Sequence, residues 1–141
     1  MNTVTFLLVE DDDLDVEIVH RAFNKLKLAN PIVRAYDGLD ALDHLRGTNG
    51  HDKLEGEYII LLDINMPRMN GLEFLKELRQ DPELGRAVVF ILTTSESEKD
   101  IFKAYELHIS GYVLKGLMGS SLEEALKMLD AFWKVVVLPK S

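Results

Sequence analysis

The chain of 141 residues contains no cysteine, and that absence removes several kinds of function at once. Without thiols there is no disulfide framework, no thiolate nucleophile and no zinc site built on cysteine. No apolar run approaches the roughly 20 residues that cross a bilayer. The first residues also lack the basic region and long apolar stretch of a secretory signal peptide. We therefore expect a cytoplasmic protein that has no membrane partner.

Positive charge is also scarce in this sequence. Sixteen lysines and arginines oppose 24 aspartates and glutamates, which leaves a formal net charge of −8. Non-specific nucleic-acid binding needs a basic footprint, so we expect no nucleic-acid partner. The length suits one domain with its own core, and 47% of the residues are hydrophobic. We expect residues 1–141 to form a single domain without a separate output domain.

Short apolar runs alternate with segments of helical periodicity along the whole chain. The runs predict five strands, at residues 4–9, 32–36, 58–62, 88–92 and 111–114. Continuous apolar runs are typical of parallel strands that are buried on both faces. The alternation predicts an α/β fold with one doubly wound, five-stranded parallel sheet of flavodoxin-like order 2-1-3-4-5, ending in a long helix.

The first and last helices each show an apolar stripe. In the first helix the predicted inner stripe consists of Leu14, Ile18, Ala22, Phe23 and Leu26. In the last helix, Ser121 and Glu124 have the spacing of a capping box, and helical spacing continues to residue 138. Leu129, Phe132 and Trp133 form its predicted inner stripe. A second stripe predicts a homodimer face, with the fourth helix and the tail, at Met128, Ala131, Val135 and Leu138.

Carboxylates follow the first and third predicted strands directly. Glu10 and Asp11 come after the first strand, and Asp63 ends the third. Strands one and three are neighbours in the predicted order, and ligands bind at the carboxyl ends of such strands. Three carboxylates at close range repel one another unless a proton or a cation intervenes. Oxygen ligands of this kind favour Mg²⁺ (or Mn²⁺).

The fourth and fifth strands contribute a hydroxyl and an ammonium group to the same edge. Thr93 follows the fourth predicted strand, and Lys115, a point-charge phosphate binder, follows the fifth. Acids, a hydroxyl, a lysine and a metal around one carboxylate predict phosphoryl transfer, with Asp63 as the nucleophile.

The segment from Asp63 to Gly71, DINMPRMNG, resembles the phosphoacceptor loop of response-regulator receiver domains. Glu10-Asp11, Thr93 and Lys115 match the other motif positions of that family in the same order. The resemblance implies that Asp63 accepts a phosphoryl group from a histidine kinase. The protein would then switch protein contacts or pass phosphate along a relay, as a phosphoacceptor with intrinsic autodephosphorylation rather than an enzyme.

The same resemblance implies a role for each matching residue. The metal would be held by Asp11, Asp63 and the carbonyl of Asn65, with Glu10 acting largely through water, and Thr93 and Lys115 would bind phosphoryl oxygens. Tyr112 occupies the aromatic switch position that responds to Thr93. Asn65 and Ser95 would tune the attack of water on the acyl phosphate.

A narrower resemblance concerns the second half of the chain. The segments LTTS from Leu92, DIF from Asp100 and the pair Phe132-Trp133 resemble small response regulators paired with phytochrome-type kinases. This resemblance implies a phytochrome-type histidine kinase as the partner.

Two positions depart from the receiver pattern. Gly116 stands where most receivers have a proline with a cis peptide bond, and Thr94 stands where many have alanine or glycine. We expect Thr94 to slow phosphorylation by small phosphodonors.

Two other functions compete with a receiver. A haloacid-dehalogenase-type phosphatase would need an acid at position 65, where this chain has an amide, and an inactive pseudo-receiver would have a damaged acid pocket. His20, His44, His51 and His108 show no metal-ligand spacing, and we expect all four to be surface or edge residues.

Overall fold

A computed structural model of the protein describes residues 3–115 and 119–139. Five strands alternate with five helices along this part of the chain. The strands are β1 (Thr5–Val9), β2 (Ile32–Ala35), β3 (Tyr58–Leu62), β4 (Val88–Thr93) and β5 (Gly111–Leu114). The helices are α1 (Asp13–Lys25), α2 (Gly38–Arg46), α3 (Gly71–Gln80), α4 (Glu98–Glu106) and α5 (Gly119–Val135).

The strands form one parallel sheet of order β2-β1-β3-β4-β5, which confirms the predicted topology. Successive strand residues point to opposite faces, and both faces are buried. Leu7, Ile60 and Val89 pack on the side of α2, α3 and α4. Phe6 and Ile59 pack on the side of α1 and α5. Because both faces are covered, the central strand β3 is apolar along its whole length.

Polar side chains fix where four of the helices begin. Asp12, Asp37, Asn70 and Ser97 each accept hydrogen bonds from the first-turn backbone N–H groups of α1, α2, α3 and α4, respectively. Asn70 also forms a reciprocal capping box with Glu73. These caps satisfy N–H groups that have no partner within the helix. They therefore set the direction in which each helix leaves the edge where the acids lie.

The predicted inner stripe of α1 was wrong in part. Leu14 is 62% exposed and Ile18 is also exposed, whereas Val16, Val19 and Phe23 are buried against the sheet. Both sets of residues have helical spacing, so periodicity alone did not choose between them. The sheet buries the set with Val16 and Val19 and leaves two large apolar side chains of α1, Leu14 and Ile18, in solvent.

The C-terminal helix also differs from its prediction. It begins at Gly119 and ends at Val135, and the chain then leaves the helix before Leu138. Leu138 is 3% exposed and packs in the core beside Phe132 and Trp133. It is therefore not part of an exposed dimer face, because the chain outside the helix is free to return to the core. Met128 and Val135 are exposed, as predicted.

Two sequence predictions lie outside the described residues. Gly116 falls between the two described ranges, and the side chain of Ser121 is likewise not described. Within residues 3–115 and 119–139, no helix combines the length and the apolar character needed to cross a bilayer.

Candidate functional site

The register of the central strands brings the predicted acids together. Val9 of β1 pairs with Leu62 of β3, so the next residues, Glu10 and Asp63, leave the sheet side by side. The N–H of Asp63 donates to the carbonyl of Val9 over 3.0 Å, and the N–H of Glu10 donates to the carbonyl of Ala35, also over 3.0 Å. Backbone hydrogen bonds on both strands therefore hold the two carboxylates at the carboxyl edge.

Three carboxylates converge at this edge. Oxygen atoms of Glu10, Asp11 and Asp63 all lie within 4.8 Å of one another. Glu10 and Asp63 are only 3% and 7% exposed, whereas Asp11 faces solvent. Such a set of hard oxygen donors, closed on one side and open on the other, fits a hydrated Mg²⁺ or Mn²⁺ ion. Asn65, the fourth predicted metal residue, is exposed two positions after Asp63.

Lys115 reaches into the same pocket from the end of β5. Its Nζ donates to Glu10 Oε1, donates to Asp15 Oδ2 over 2.9 Å and lies 3.9 Å from Asp63 Oδ2. The other oxygen of Asp63, Oδ1, accepts a hydrogen bond from the N–H of Ile64 over 2.9 Å. One oxygen of Asp63 is thus engaged by the backbone, and the other faces the ammonium group.

Asp15 is a partner of Lys115 that the sequence did not predict. It lies 100 residues before the lysine, on the first turn of α1. The only sequence signal was the run of acids from Glu10 to Asp15, which is also typical of an ordinary helix N-terminus.

Burial and the neighbouring charges shift the pKa values of Glu10 and Lys115 in this pocket. Burial raises the pKa of Glu10 from its usual 4.5 to about 7, with the charge of Asp63 acting in the same sense and the hydrogen bond from Lys115 against it. Burial lowers the pKa of Lys115, but the carboxylates of Glu10, Asp15 and Asp63 outweigh that effect and raise it overall. The lysine is therefore a fixed positive charge, whereas the pocket holds more negative charge than is favourable without a cation.

Thr93, Ser95 and Tyr112 form a connected group beside the acids. Thr93 is fully buried at the end of β4, and its Oγ1 accepts a hydrogen bond from the N–H of Ser95 over 3.3 Å. The hydroxyl of Tyr112 donates to the carbonyl of Ser95 over 2.8 Å. The hydroxyl of Ser95 donates to Asp100 on α4 over 2.7 Å. A change at Thr93 can therefore reach Tyr112 and α4 through the backbone at Ser95.

The loop after Asp63 is fastened to α2. Arg68 has a left-handed φ of 62°, and its guanidinium contacts both oxygens of the buried Asp37. Burial raises the pKa of Asp37, but the hydrogen bonds from Arg68 and from backbone N–H groups of α2, together with the charge of Arg68, outweigh burial and lower the pKa overall. The N–H of Gly38 also donates to the carbonyl of Met69 over 3.2 Å. These contacts hold the β3–α3 loop against the start of α2.

Gly71 ends this loop where α3 passes directly over Asp63. A Cβ atom at this position would lie 2.2 Å from the carbonyl oxygen of Asp63 and 2.8 Å from the Cα of Ile64. The N–H of Gly71 donates to the carbonyl of Ile64 over 2.9 Å. Only glycine permits so close an approach of helix and strand, so this residue sets the position of the Asp63 backbone.

Arg34 is a second residue that the sequence analysis missed. From β2 its guanidinium donates to the carbonyls of Glu10 and Asp11 over 2.9 and 3.2 Å, and it pairs with Asp13 at 2.8 Å. Its Cζ atom also lies 3.8 Å from the centroid of the Tyr36 ring, over the face of that ring. A single arginine in a strand carries no signal that it will fix a neighbouring loop, because that role depends on the strand order.

Two of the four histidines lie closer together than their positions in the sequence predicted. His44 and His51 stack with ring centroids 3.8 Å apart, and both lie beside Asp40. Neither ring is fully exposed. The three side chains lie beside α2, outside the acid pocket.

A parallel sheet in this strand order, with carboxylates, a hydroxyl and a lysine at its carboxyl edge, is the arrangement of signalling receiver domains. The response regulator receiver domain family matches residues 6–127 of this chain. The chain belongs to that family and is a response-regulator receiver of two-component signalling, a phosphoacceptor rather than a classical enzyme.

Three matches to known response regulators agree with this assignment. Response regulator Rcp1 of Synechocystis sp. is 34% identical over 134 residues, which cover 94% of this chain and 91% of Rcp1. The structure of the phosphorylated cyanobacterial phytochrome response regulator RcpA is 33% identical, with a TM-score of 0.87, and the match covers 99% of this chain and 100% of RcpA. The Mn²⁺-bound form of response regulator Rcp1 is 32% identical, with a TM-score of 0.81, and the match covers 96% and 99% of the two chains.

Proposed function

We propose that Asp63 is the phosphoacceptor and that a histidine kinase is the donor. An oxygen of Asp63 attacks the phosphorus of a phosphohistidine, the P–N bond breaks, and an acyl phosphate forms as the histidine nitrogen leaves with the bonding pair. The observation that carries this proposal is the position of Asp63, whose carboxylate lies beside Glu10 and Asp11 and 3.9 Å from Lys115 Nζ.

The three carboxylates are the residues that would hold Mg²⁺ or Mn²⁺, with the carbonyl of Asn65 as a further ligand. When bound, the ion offsets the negative charge that accumulates during phosphoryl transfer. The relative Rcp1 has been crystallised in a Mn²⁺-bound form, which supports the same choice of ion for this pocket. The raised pKa of Glu10 also supports it, because a cation compensates a buried carboxylate.

Lys115 and Thr93 are the residues that would bind the transferred group. The ammonium of Lys115 already faces the free oxygen of Asp63, where phosphoryl oxygens would lie after transfer. The Thr93 hydroxyl would turn toward the same oxygens. Its hydrogen bond from Ser95 would then be lost, together with the support for the Tyr112 hydroxyl. We propose that this sequence of contacts shifts the domain between two states.

Asn65 and Ser95 would set the lifetime of the acyl phosphate. Asn65 is exposed beside the acceptor, where its amide can orient or exclude water. The hydroxyl of Ser95 is held by Asp100, so it would act only if that hydrogen bond opened.

The kinase partner would be of the phytochrome type. Support comes from the similarity to RcpA, which is described as a phytochrome response regulator, over 99% of this chain. The exposed Leu14 and Ile18 on α1 give a docking kinase an apolar surface.

The decisive experiment is incubation of the protein with Mg²⁺ and a phosphorylated phytochrome-type histidine kinase, followed by intact mass measurement. The wild type should gain one labile phosphoryl group, and Asp63→Asn should gain none. The matched control is Asp52→Asn, which removes an exposed carboxylate from the loop before β3 and should behave as the wild type. An adduct that persists in Asp63→Asn would overturn the assignment of the acceptor. Transfer to Asp63 from an unrelated kinase at the same rate would contradict only the partner.

We also propose a homodimer through α4, α5 and the residues after α5. Phe102 and Tyr105 on α4 and Met128 and Val135 on α5 are large exposed apolar side chains. Val135→Asp would place a charge on that surface and should shift a dimer to monomer in sedimentation. A wild-type protein that sediments as a monomer at every concentration, with and without phosphorylation, would refute this proposal.

A further inference from the structure

A second cluster of ligand-type side chains lies beside α2, away from the acid pocket. Asp40 and His44 are one helical turn apart on α2, and His51 comes back to them from the loop between α2 and β3. One nitrogen of each imidazole and one oxygen of the carboxylate all lie within 4.8 Å of one another. We propose that these three side chains bind a divalent transition-metal cation, with Zn²⁺ as the representative ion.

The two imidazoles turn the same nitrogen toward one carboxylate. His51 Nε2 lies 2.7 Å from Asp40 Oδ1, and His44 Nε2 lies 3.8 Å from Asp40 Oδ2. Two imidazoles and a carboxylate form a three-residue set that leaves a fourth position for water. Nitrogen donors favour zinc, copper, nickel and cobalt, whereas the acid pocket has only oxygen donors and favours magnesium or manganese. The two sites therefore differ in the ions that they select.

The surroundings of the cluster already orient two of the ligands. The N–H of Tyr36 donates to Asp40 Oδ2 over 2.9 Å, and the backbone of Arg34 lies beside the His44 ring. Contacts of this kind commonly fix the ring orientation of metal-binding histidines. Burial, followed by the charge of His51, lowers the pKa of His44 below its usual 6.5, so this ring is neutral near pH 7.

Metal binding requires the two stacked rings to separate, and the ring that can move is that of His51 in the loop after α2. The two rings stack at an interplanar angle of 28° and a centroid distance of 3.8 Å, whereas two imidazoles on one tetrahedral ion diverge. His51 is the more exposed of the two and follows Gly50, whose φ is 88°. A small rotation at His51 opens the stack while His44 stays on the helix. The bound ion would then tie the loop of residues 47–57 to α2.

The test is a Zn²⁺ titration of the full-length protein in excess Mg²⁺, which occupies the acid pocket. Calorimetry should report one equivalent of bound Zn²⁺. In histidine-ring NMR spectra, the signals of His44 and His51 should shift, while those of His20 and His108 should stay in place. His51→Ala should weaken the binding at least about tenfold, because even the loss of an outer-shell partner costs about 10–100-fold.

The control variant is His20→Ala, which removes an exposed histidine of α1 and should bind Zn²⁺ as the wild type does. Asp63→Asn should also leave the affinity unchanged, because that residue belongs to the other site. Three results would each overturn the proposal. They are no Zn²⁺ binding in the presence of Mg²⁺, equal affinity in His51→Ala and the wild type, and NMR shifts spread over all four histidines.

Discussion

Gly71→Ala tests whether the close approach of α3 fixes the position of Asp63. The added Cβ would lie 2.2 Å from the carbonyl oxygen of Asp63, whereas real Cβ atoms essentially never come within 3.0 Å of a neighbour. Helix or strand must therefore move by about 0.8 Å, and the obstacle is backbone rather than a flexible side chain. Overpacking costs about 3 kcal/mol at the upper end of its usual range, and replacing glycine in a helix returns up to about 1 kcal/mol. We expect a net loss of about 2 kcal/mol.

The assay combines urea unfolding with phosphorylation. Gly71→Ala should unfold at a lower urea concentration and, while still folded, should accept phosphoryl groups more slowly, because the Asp63 backbone is displaced. Gly111→Ala is the matched control, since its Cβ would meet only the ring of Phe90, at 3.0 Å. This contact is less close and involves a side chain rather than backbone, so the control should lose less stability than Gly71→Ala and keep its phosphorylation rate. Wild-type stability and rate in Gly71→Ala would refute the reasoning.

Three further predictions follow from single groups. Tyr112→Phe removes the hydrogen bond to the Ser95 carbonyl and should lower the free energy of unfolding by about 0.5–1.5 kcal/mol. Urea titrations measure this, and no change would contradict a role for that bond. Thr94→Ala should accept phosphoryl groups from small donors faster than the wild type, and its free energy of unfolding should stay within about 0.5 kcal/mol of the wild-type value. Equal rates would contradict steric restriction by Thr94. Because the pKa of Glu10 is raised in the folded state, its favourable contribution is complete below pH 4.5 and is lost as the pH rises through about 7. Without divalent cations, the stability of the wild type relative to Glu10→Gln should therefore fall over that interval, and a constant difference would contradict the raised pKa. The comparison with Glu10→Gln cancels the contribution of His44, whose lowered pKa acts in the opposite sense.

The strand positions and the acids at their ends were predictable because their signals are local, whereas the strand order followed from the flavodoxin-like fold class. A strand buried on both faces must be apolar, so a carboxylate at its end is conspicuous in the sequence. Glu10 and Asp63 both have this signature, and the parallel arrangement that follows from alternating strands and helices places them at one edge. By the same logic Thr93 ends β4 and Lys115 follows β5, and the structure brings these ends to the same edge as the acids.

The faces of the helices were predictable only in part. In α1, Leu14 and Ile18 have helical spacing, and so do Val16 and Val19. Only the packing of the helix on the sheet decides which pair is buried. Leu138 was misplaced for a related reason, because periodicity cannot show that a helix has ended three residues earlier and that the chain has returned to the core.

By itself, the sequence determined the fold class and the acids at the strand ends, because each depends on short patterns of burial or charge. The tertiary structure alone decided the contacts between distant segments. Asp15 meets Lys115 across 100 residues, and the loop between α2 and β3 folds back to bring His51 against His44. Such contacts depend on the exact path of loops and helix faces, and no short sequence pattern encodes that path.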